Sequence, residues 1–256
     1  MSASLTYRDS VAILTLNRPE ALNALNGEMV LRIGALIEEV RGSDARCLIV
    51  AGAGSKAFCA GADVKEILGK DDEQQRAFAQ IGQQTFAKLD GLPIPSIAAI
   101  SGVAFGGGLE LALACTFRVA TPQSRFALPE IKLGLIPGYG GTQRLPRLIG
   151  ASRAMEIIAT GRIVDATEAE RIGLVNKVDE GEDAVAIGLA FACSLGSPPP
   201  ASLLMARKAV AQALEMPLTR GFDAEAALFS AATQTSDARE GVRAFLEKRK
   251  PEFAGT

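Results

Sequence analysis

The chain has 256 residues and no histidine. This absence excludes Ser-His-Asp and Cys-His nucleophile systems and imidazole-bound metals, so proton transfer near neutral pH falls to carboxylates, Lys, Tyr or Cys. Hydrophobic residues make up 48% of the chain and the formal net charge is −2. These values predict a folded globular protein with no global electrostatic reason to bind nucleic acid or an anionic membrane.

The N-terminal residues show no basic, apolar or Arg-rich leader, and no apolar run reaches the roughly 18 residues that a membrane helix needs. The four cysteines are far apart and form no Cys-x-x-Cys pair. We therefore expect a soluble cytoplasmic protein with reduced thiols. Cys59 is a candidate reactive thiol because it lies in a loop of the suspected site.

An apolar run at residues 11–16 ends at an Asn-Arg-Pro turn and predicts a buried strand. Apolar residues then recur at spacings of three and four from Met29 to Val40, which predicts a helix with one buried face. Further buried or extended segments are predicted at residues 47–51, 96–100, 117–120 and 126–128. This alternation favours repeated strand-strand-helix or strand-helix units.

Beyond Gly141 the pattern is helical. Helices are predicted at residues 151–160, 166–172, 183–195, 201–214, 224–232 and 237–248. Residues 196–200 form a Pro-rich joint between two of these helices, and their apolar faces need partners. The C-terminal third is therefore a helical region.

Residues 56–65 follow the second buried strand and are rich in small side chains. Such a loop lets backbone N–H groups approach an oxyanion before a helix begins near Asp63. The alternative interpretation is an ordinary strand-to-helix turn capped by Asp63.

Residues 101–114 predict a strand, a turn, three glycines and an apolar helix. Glycines at a helix start present bare N–H groups to developing negative charge, although close packing of a helix on a sheet also explains them. Glu110 lies in the first turns of this helix, where a buried carboxylate is costly unless it is hydrogen-bonded or functional. Glu130 follows Pro129 at the start of a short helix, and the two glutamates are the leading acid/base candidates.

Taken together, these motifs closely resemble the enoyl-CoA hydratase (crotonase) family. The resemblance rests on an ordered set of segments: NRPEALNAL at 17–25, FCAGADV at 58–64, GVAFGGGLEL at 102–111, PE at 129–130, GLIPG at 134–138 and GGTQRL at 140–145. It implies an α/β fold, a crotonase-like spiral of repeated ββα units, with a core at residues 1–195. Residues 196–256 are then a helical C-terminal trimerisation region, and a homotrimer or a dimer of trimers is expected.

The resemblance also implies the chemistry. The backbone N–H groups of Ala62 and Gly107 would hold the thioester carbonyl of an acyl-CoA substrate as an oxyanion hole. Glu110 and Glu130 would hold one water, with Glu110 helping to deprotonate it as it adds to C3 and Glu130 giving the main proton to C2. One carboxyl must then be protonated while the other is charged, which partial burial beside a like charge would favour.

Four further residues are implied to bind coenzyme A. Asp63, Val64 and Lys65 adjoin Ala62 in this role, and Lys248 would reach the phosphates bound by a neighbouring subunit. No metal and no separate cofactor are implied, because the electron-withdrawing thioester itself activates C3 and coenzyme A is part of the substrate.

The leading interpretation is an enoyl-CoA hydratase in fatty-acid or related acyl-CoA degradation. An enoyl-CoA isomerase on the same scaffold is one alternative. A specialised crotonase for branched, aromatic or carboxylated acyl-CoA is another, with its acyl pocket expected around residues 68–86 and Tyr139. A non-enzymatic RNA-binding or scaffold protein is disfavoured, since 27 basic residues are matched by 29 acidic ones and both glutamates are present.

Overall fold

The structure is a computed structural model and describes residues 1–196 and 198–255. The chain forms two compact units, Met1–Ala192 and Cys193–Thr256. The first unit carries the strands, and the second is helical. The Pro-rich joint predicted at residues 196–200 includes Ser197, which lies outside the described residues.

Ten strands build two sheets in the first unit. They are β1 (Ala3–Arg8), β2 (Val11–Leu16), β3 (Cys47–Gly52), β4 (Ala57–Cys59), β5 (Ser96–Ile100), β6 (Val103–Phe105), β7 (Phe117–Ala120), β8 (Arg125–Ala127), β9 (Val164–Asp165) and β10 (Lys177–Val178). One sheet has the order β1-β2-β3-β5-β7-β10 and the other the order β4-β6-β8-β9. All pairs are parallel except β1 with β2 and β8 with β9.

Ten α-helices accompany these strands in the described chain. They are α1 (Gly27–Arg41), α2 (Asp72–Asp90), α3 (Gly107–Ala114), α4 (Gly141–Ile149), α5 (Ala151–Thr160), α6 (Ala166–Arg171), α7 (Ala184–Ser194), α8 (Pro200–Gln212), α9 (Leu218–Thr233) and α10 (Ser236–Leu246). Short 3₁₀ helices lie at Pro19–Ala21, Val64–Glu66 and Pro129–Leu133.

The order of the elements produces a spiral. Two consecutive turns each contain a strand of the first sheet, a strand of the second sheet and a helix: β3, β4 and α2, then β5, β6 and α3. The next turn contributes β7 and β8 before the 3₁₀ helix Pro129–Leu133. Because successive turns stack in parallel, the loops after β4, β6 and β8 all leave the small sheet at its carboxyl end. This confirms the predicted spiral of ββα units.

Periodicity located most elements correctly. The buried strands at Val11–Leu16 and Ser96–Ile100 are confirmed at their predicted bounds. The helix Gly27–Arg41 buries the predicted face, and the side chain of Asn26 caps it by accepting from the N–H of Met29.

Three assignments need correction. The strand predicted at residues 126–128 runs from Arg125 to Ala127, because Pro129 begins a 3₁₀ helix immediately beyond Leu128. The helix predicted at residues 224–232 begins at Leu218, directly after Pro217. The edge strand Ala3–Arg8 was not predicted, although Ala3, Leu5 and Tyr7 alternate with polar residues as in a half-buried strand.

Close backbone packing sets the position of α3. A Cβ added to Gly108 would lie 2.2 Å from the carbonyl oxygen of Cys59, which no side-chain rotation can relieve. We expect Gly108→Ala to reduce the free energy of unfolding by about 3 kcal/mol because the helix must move away from β4. Denaturant unfolding measures this loss. Gly221→Ala is the matched control: its Cβ meets open space within α9, so unfolding should change by no more than about 1 kcal/mol. Equal effects in the two variants would contradict the packing argument.

Candidate active site

A cavity of about 250 Å³ opens between the loops after β4, β6 and β8. Its wall is mainly apolar and includes two carboxylates. The lining residues are Ala60, Gly61, Ala62, Val64, Ile67, Gln75, Phe78, Ala79, Gly106, Gly107, Glu110, Pro129, Glu130, Leu133, Leu135, Ile136, Gly138 and Tyr139. A concave apolar site with a few converging polar groups is typical of a small-molecule binding site.

Two backbone N–H groups face this cavity. Gly107 is the first residue of α3, so its N–H has no acceptor within the helix. Ala62 forms a parallel bridge in which Leu25 bonds to Gly61 and Asp63, and this pairing directs the N–H of Ala62 to the opposite side. A Cβ added to Gly107 would lie 3.3 Å from the nitrogen of Ala62. The structure thus brings the two predicted donors together.

Backbone geometry at Gly106 makes this approach possible. Gly106 precedes α3 with φ 48° and ψ −125°, a conformation available to glycine. Its N–H donates to Ala127 at 2.9 Å, which ties the start of α3 to β8. The glycines therefore allow the close packing considered from the sequence, and they place Gly107 at the cavity, where its role as an N–H donor stays a prediction.

Glu110 lies in the first turn of α3 and is only 2% exposed. Its Oε1 accepts hydrogen bonds from the N–H groups of Tyr139, at 2.8 Å, and Gly141, at 2.7 Å. Burial raises the pKa of Glu110 to about 7, with a further contribution from the charge of Glu130, while the two N–H donors oppose the rise. Near neutral pH this carboxyl can therefore take up or release a proton.

Glu130 approaches the cavity from the 3₁₀ helix Pro129–Leu133, which ends at left-handed Gly134. Its Oε2 is buried and has no hydrogen-bond partner within the described part of the chain. Burial raises the pKa of this carboxyl as well. Burial and the unpartnered oxygen both disfavour the charged form of this carboxyl, so Glu130 is a candidate proton donor in the same cavity as Glu110.

Of the four further residues implied to bind coenzyme A, Val64 alone is among the residues that line the cavity. Val64 lines the cavity and is 53% exposed. Asp63 instead caps the turn that follows it by accepting from the N–H of Lys65 at 3.3 Å, and it lies 3.6 Å from Arg18. Lys248 is an exposed residue of the second unit, in a left-handed conformation with φ 56°. The family resemblance implies that Lys248 contacts coenzyme A bound by a different subunit, and this role stays a prediction.

Two expectations for residues 56–65 were wrong. The predicted helix near Asp63 is only the 3₁₀ turn Val64–Glu66, and the α-helix begins later, at Asp72. Cys59 is not a reactive thiol: it is fully buried, its Sγ donates to the carbonyl of Gly61, and burial raises its pKa to about 12.

The lining of the expected acyl pocket was only partly predicted. Residues 68–86 contribute Gln75, Phe78 and Ala79, whereas Leu68 is 84% exposed. Tyr139 lies between two phenylalanines of α2, with ring centroids 5.6 Å from both Phe78 and Phe86. It packs onto Gly82, where a Cβ would meet its ring at 2.1 Å.

From the sequence, residues 133–145 could either line a pocket or merely form a turn. In the structure Leu133, Leu135 and Ile136 line the cavity. Their exposed fractions are 63%, 37% and 69%. Large apolar side chains among glycines and a proline favour the pocket interpretation, because an exposed apolar cluster is typical of a binding surface.

The raised pKa of Glu110 predicts how stability depends on pH. The folded state holds this proton up to about pH 7, whereas the unfolded state releases it near 4.5. Wild-type stability therefore decreases as pH rises through this interval. Relative to wild type, Glu110→Gln should gain about 3 kcal/mol in unfolding free energy between pH 4.5 and pH 8, measured by urea unfolding at several pH values. Parallel pH curves for the two proteins would contradict the raised pKa.

The fold and the cavity define a class of α/β protein in which paired carboxylates face two backbone N–H donors. The family model described as enoyl-CoA hydratase/isomerase matches residues 6–256. The chain belongs to the enoyl-CoA hydratase/isomerase family.

Relatives and solved structures match over nearly the full length. YngF of Bacillus subtilis, a provisionally named enoyl-CoA hydratase/isomerase, is 45% identical over 96% of this chain and 95% of its own. The crotonyl-CoA hydratase of Syntrophomonas wolfei is 38% identical over 97% of this chain and 96% of its own. A crystal structure of enoyl-CoA hydratase from Bacillus anthracis aligns with TM-score 0.93 and 38% identity, covering 100% of both chains. The crotonase-like fold expected from the sequence is confirmed.

Among the helices of the described residues, none combines the length and apolar character needed to cross a membrane.

Proposed function

We propose that the protein is an enoyl-CoA hydratase, which adds water reversibly to trans-2-enoyl-CoA to give 3-hydroxyacyl-CoA. The observation that carries the proposal is the pair Glu110 and Glu130 in one cavity, where Oε1 of Glu110 accepts two hydrogen bonds and the buried Oε2 of Glu130 accepts none. Addition of water needs a base for the water and an acid for C2 at the same time. The named hydratases among the relatives support the same reaction.

The proposed mechanism begins with the thioester carbonyl oxygen between the N–H groups of Ala62 and Gly107. Water adds to C3 as Glu110 removes one of its protons, and negative charge moves through C2 to the carbonyl oxygen. The two N–H groups stabilise this enolate-like charge. Glu130 then gives its proton to C2. The thioester supplies the electron withdrawal, so the proposal includes no metal and no separate cofactor.

Asp63 and Lys65 remain proposed contacts for coenzyme A, together with Val64 at the cavity edge. Asp63 and Lys65 adjoin Ala62 and Val64, which line the cavity, and this supports the role. Lys248 remains a proposed phosphate contact of a neighbouring subunit. A basic side chain that is exposed to solvent is suited to an anionic group.

We also propose a homotrimer or a dimer of trimers built by the second unit. Large apolar side chains of α9 and α10 are exposed there, including Phe222, Phe229 and Phe245 at 59%, 71% and 83%. Surfaces of this kind mark protein interfaces.

We further propose a cytoplasmic location. Cysteines that are free throughout the structure suit a reducing compartment such as the cytosol.

The test is to mix the purified protein with crotonyl-CoA and follow the absorbance of the enoyl thioester, with identification of the product. Rapid loss of the band with 3-hydroxybutyryl-CoA as product is the expected result. No turnover of trans-2-enoyl thioesters of any chain length, with turnover of 3-enoyl-CoA, would overturn the hydratase assignment and favour the isomerase. Turnover of branched or aromatic enoyl-CoA in preference to crotonyl-CoA would identify the specialised alternative.

A further inference from the structure

The two hydrogen bonds that reach Glu110 come from a short segment whose orientation is fixed from outside the cavity. Residues 138–141 connect the 3₁₀ region to α4 and turn at Gly140, which has φ 112°. Both N–H groups of this segment that contact Glu110 meet the same atom, Oε1. Since each peptide unit is planar and trans, holding a carbonyl on one side directs the next N–H to the other side.

The carbonyl groups of this segment are held by side chains and by the start of α4. Gln83 of α2 donates through Nε2 to the carbonyl oxygen of Gly138 at 2.9 Å. That bond fixes the peptide unit whose N–H belongs to Tyr139. The carbonyl oxygen of Gly140 accepts from the N–H groups of Gln143, at 3.0 Å, and Arg144, at 2.9 Å, which fixes the peptide unit that carries the N–H of Gly141.

The side chain of Arg144 holds the middle peptide unit. Its Nη1 donates to the carbonyl oxygen of Tyr139 at 3.3 Å, and its Nη2 lies 2.6 Å from Asp90 Oδ2. A Cβ added to Gly140 would lie 2.3 Å from Nη1, so the guanidinium packs directly on this glycine. Asp90 thus orients Arg144, and Arg144 closes the turn.

We propose that Gln83 and Arg144 are positioning residues for Glu110, because together they orient the peptide units of residues 138–141 so that two N–H groups donate to its carboxylate. Neither side chain lines the cavity, and Gln83 is exposed. Their effect on the reaction is therefore indirect: they keep Glu110 in its charged, proton-accepting form. The inference rests on the proposed hydratase function for its kinetic consequences only.

Nearby charges also act on Glu110, in addition to its hydrogen bonds. The titratable and charged groups around Glu110 are Glu130 from the 3₁₀ helix, Tyr139, Arg144 from α4 and, beyond Arg144, Asp90 from α2. The positive charge of Arg144 lowers the pKa of Glu110 and opposes the effect of Glu130. The guanidinium, at 20% exposure, is only partly screened by solvent.

The test compares Gln83→Met, Arg144→Met and Arg144→Lys with wild type. In both methionine variants we expect the acidic limb of the kcat/KM profile to move to higher pH, because Glu110 loses support for its charged form. At pH 6 the loss should be about threefold for Gln83→Met and about tenfold for Arg144→Met, with KM nearly unchanged. Arg144→Lys keeps the charge and should restore most of the profile. Gln84→Met is the matched control on the same helix and should behave as wild type.

A second measurement does not depend on activity. The protonated carboxyl band in infrared difference spectra, assigned by its loss in Glu110→Gln, gives the titration midpoint of Glu110 in the free protein. The midpoint should rise in Gln83→Met and Arg144→Met and stay constant in Gln84→Met. Wild-type midpoints in both methionine variants would overturn the inference even if the protein proves to be a hydratase. Shifted midpoints without hydration of any enoyl-CoA would instead support the inference and overturn the proposed function.

Discussion

Glu110→Gln should reduce kcat for hydration of crotonyl-CoA by about 10² to 10⁴-fold while the protein stays folded. Glutamine keeps an acceptor oxygen for the N–H groups of Tyr139 and Gly141, so the local structure can persist. It cannot accept a proton from water, and the addition at C3 loses its base. Steady-state kinetics with circular dichroism as a folding check measures this effect.

The pH dependence of kcat/KM gives a further test of Glu110 as the base. In wild type, kcat/KM should decrease as pH falls below about 7, because Glu110 becomes protonated and stops acting as a base. It should also decrease at higher pH as Glu130 loses the proton that C2 requires. Since the two carboxyls interact, the apparent pKa values of the two limbs belong to the pair and not to either residue alone. Glu73→Gln, an exposed neutralisation in α2, is the control and should retain wild-type rates. Wild-type turnover in Glu110→Gln would remove this residue from the mechanism.

Glu130→Gln should cause a loss of similar size, about 10² to 10⁴-fold in kcat, through the other proton transfer. The amide cannot give a proton to C2, and its burial beside apolar side chains offers no substitute donor. Stability should change little in acid, because the buried Oε2 makes no hydrogen bond in the described structure that the substitution could break. As pH rises the variant should become more stable than wild type, because burial raises the pKa of Glu130 and the neutral amide avoids that cost.

A partial reaction separates the two roles. Exchange of the C2 hydrogen of butyryl-CoA with solvent deuterium needs a base at C2 and the oxyanion donors, but it needs no water addition. Mass spectrometry should show that Glu130→Gln loses this exchange, whereas Glu110→Gln retains most of it. The opposite pattern would reverse the assignment of acid and base between the two glutamates.

Predictions that rested on short stretches of sequence were largely confirmed. The strand Val11–Leu16 and the helix Gly27–Arg41 were located by their apolar patterns, since the buried positions of an element recur at fixed spacings among neighbouring residues. The motif around Gly107 and Glu110 predicted a glycine-opened helix start with a buried carboxylate, and the structure places both at the cavity. The start of α9 was misplaced because Arg220, Gly221 and Asp223 weaken the helical pattern near Pro217.

Features of the site that depend on distant segments could not be predicted in this way. Cys59 looked available because its loop is rich in small residues, yet α3 packs over that loop at Gly108 and buries the thiol. Tyr139 was expected at the acyl pocket, but local sequence did not show that its ring packs onto Gly82, more than fifty positions earlier in the chain. The support that Gln83 gives to the carbonyl of Gly138 spans a similar separation.

The sequence by itself determined the absence of histidine chemistry, the glycine-opened helix and the two glutamates that carry the proposed reaction. Tertiary structure decided which oxygen of Glu110 receives two N–H groups and which oxygen of Glu130 receives none. The difference has a physical reason. A residue's type and its local backbone follow from near neighbours, whereas its pKa depends on solvent exclusion and on donors that the stacked turns of the spiral bring from segments far apart in the chain.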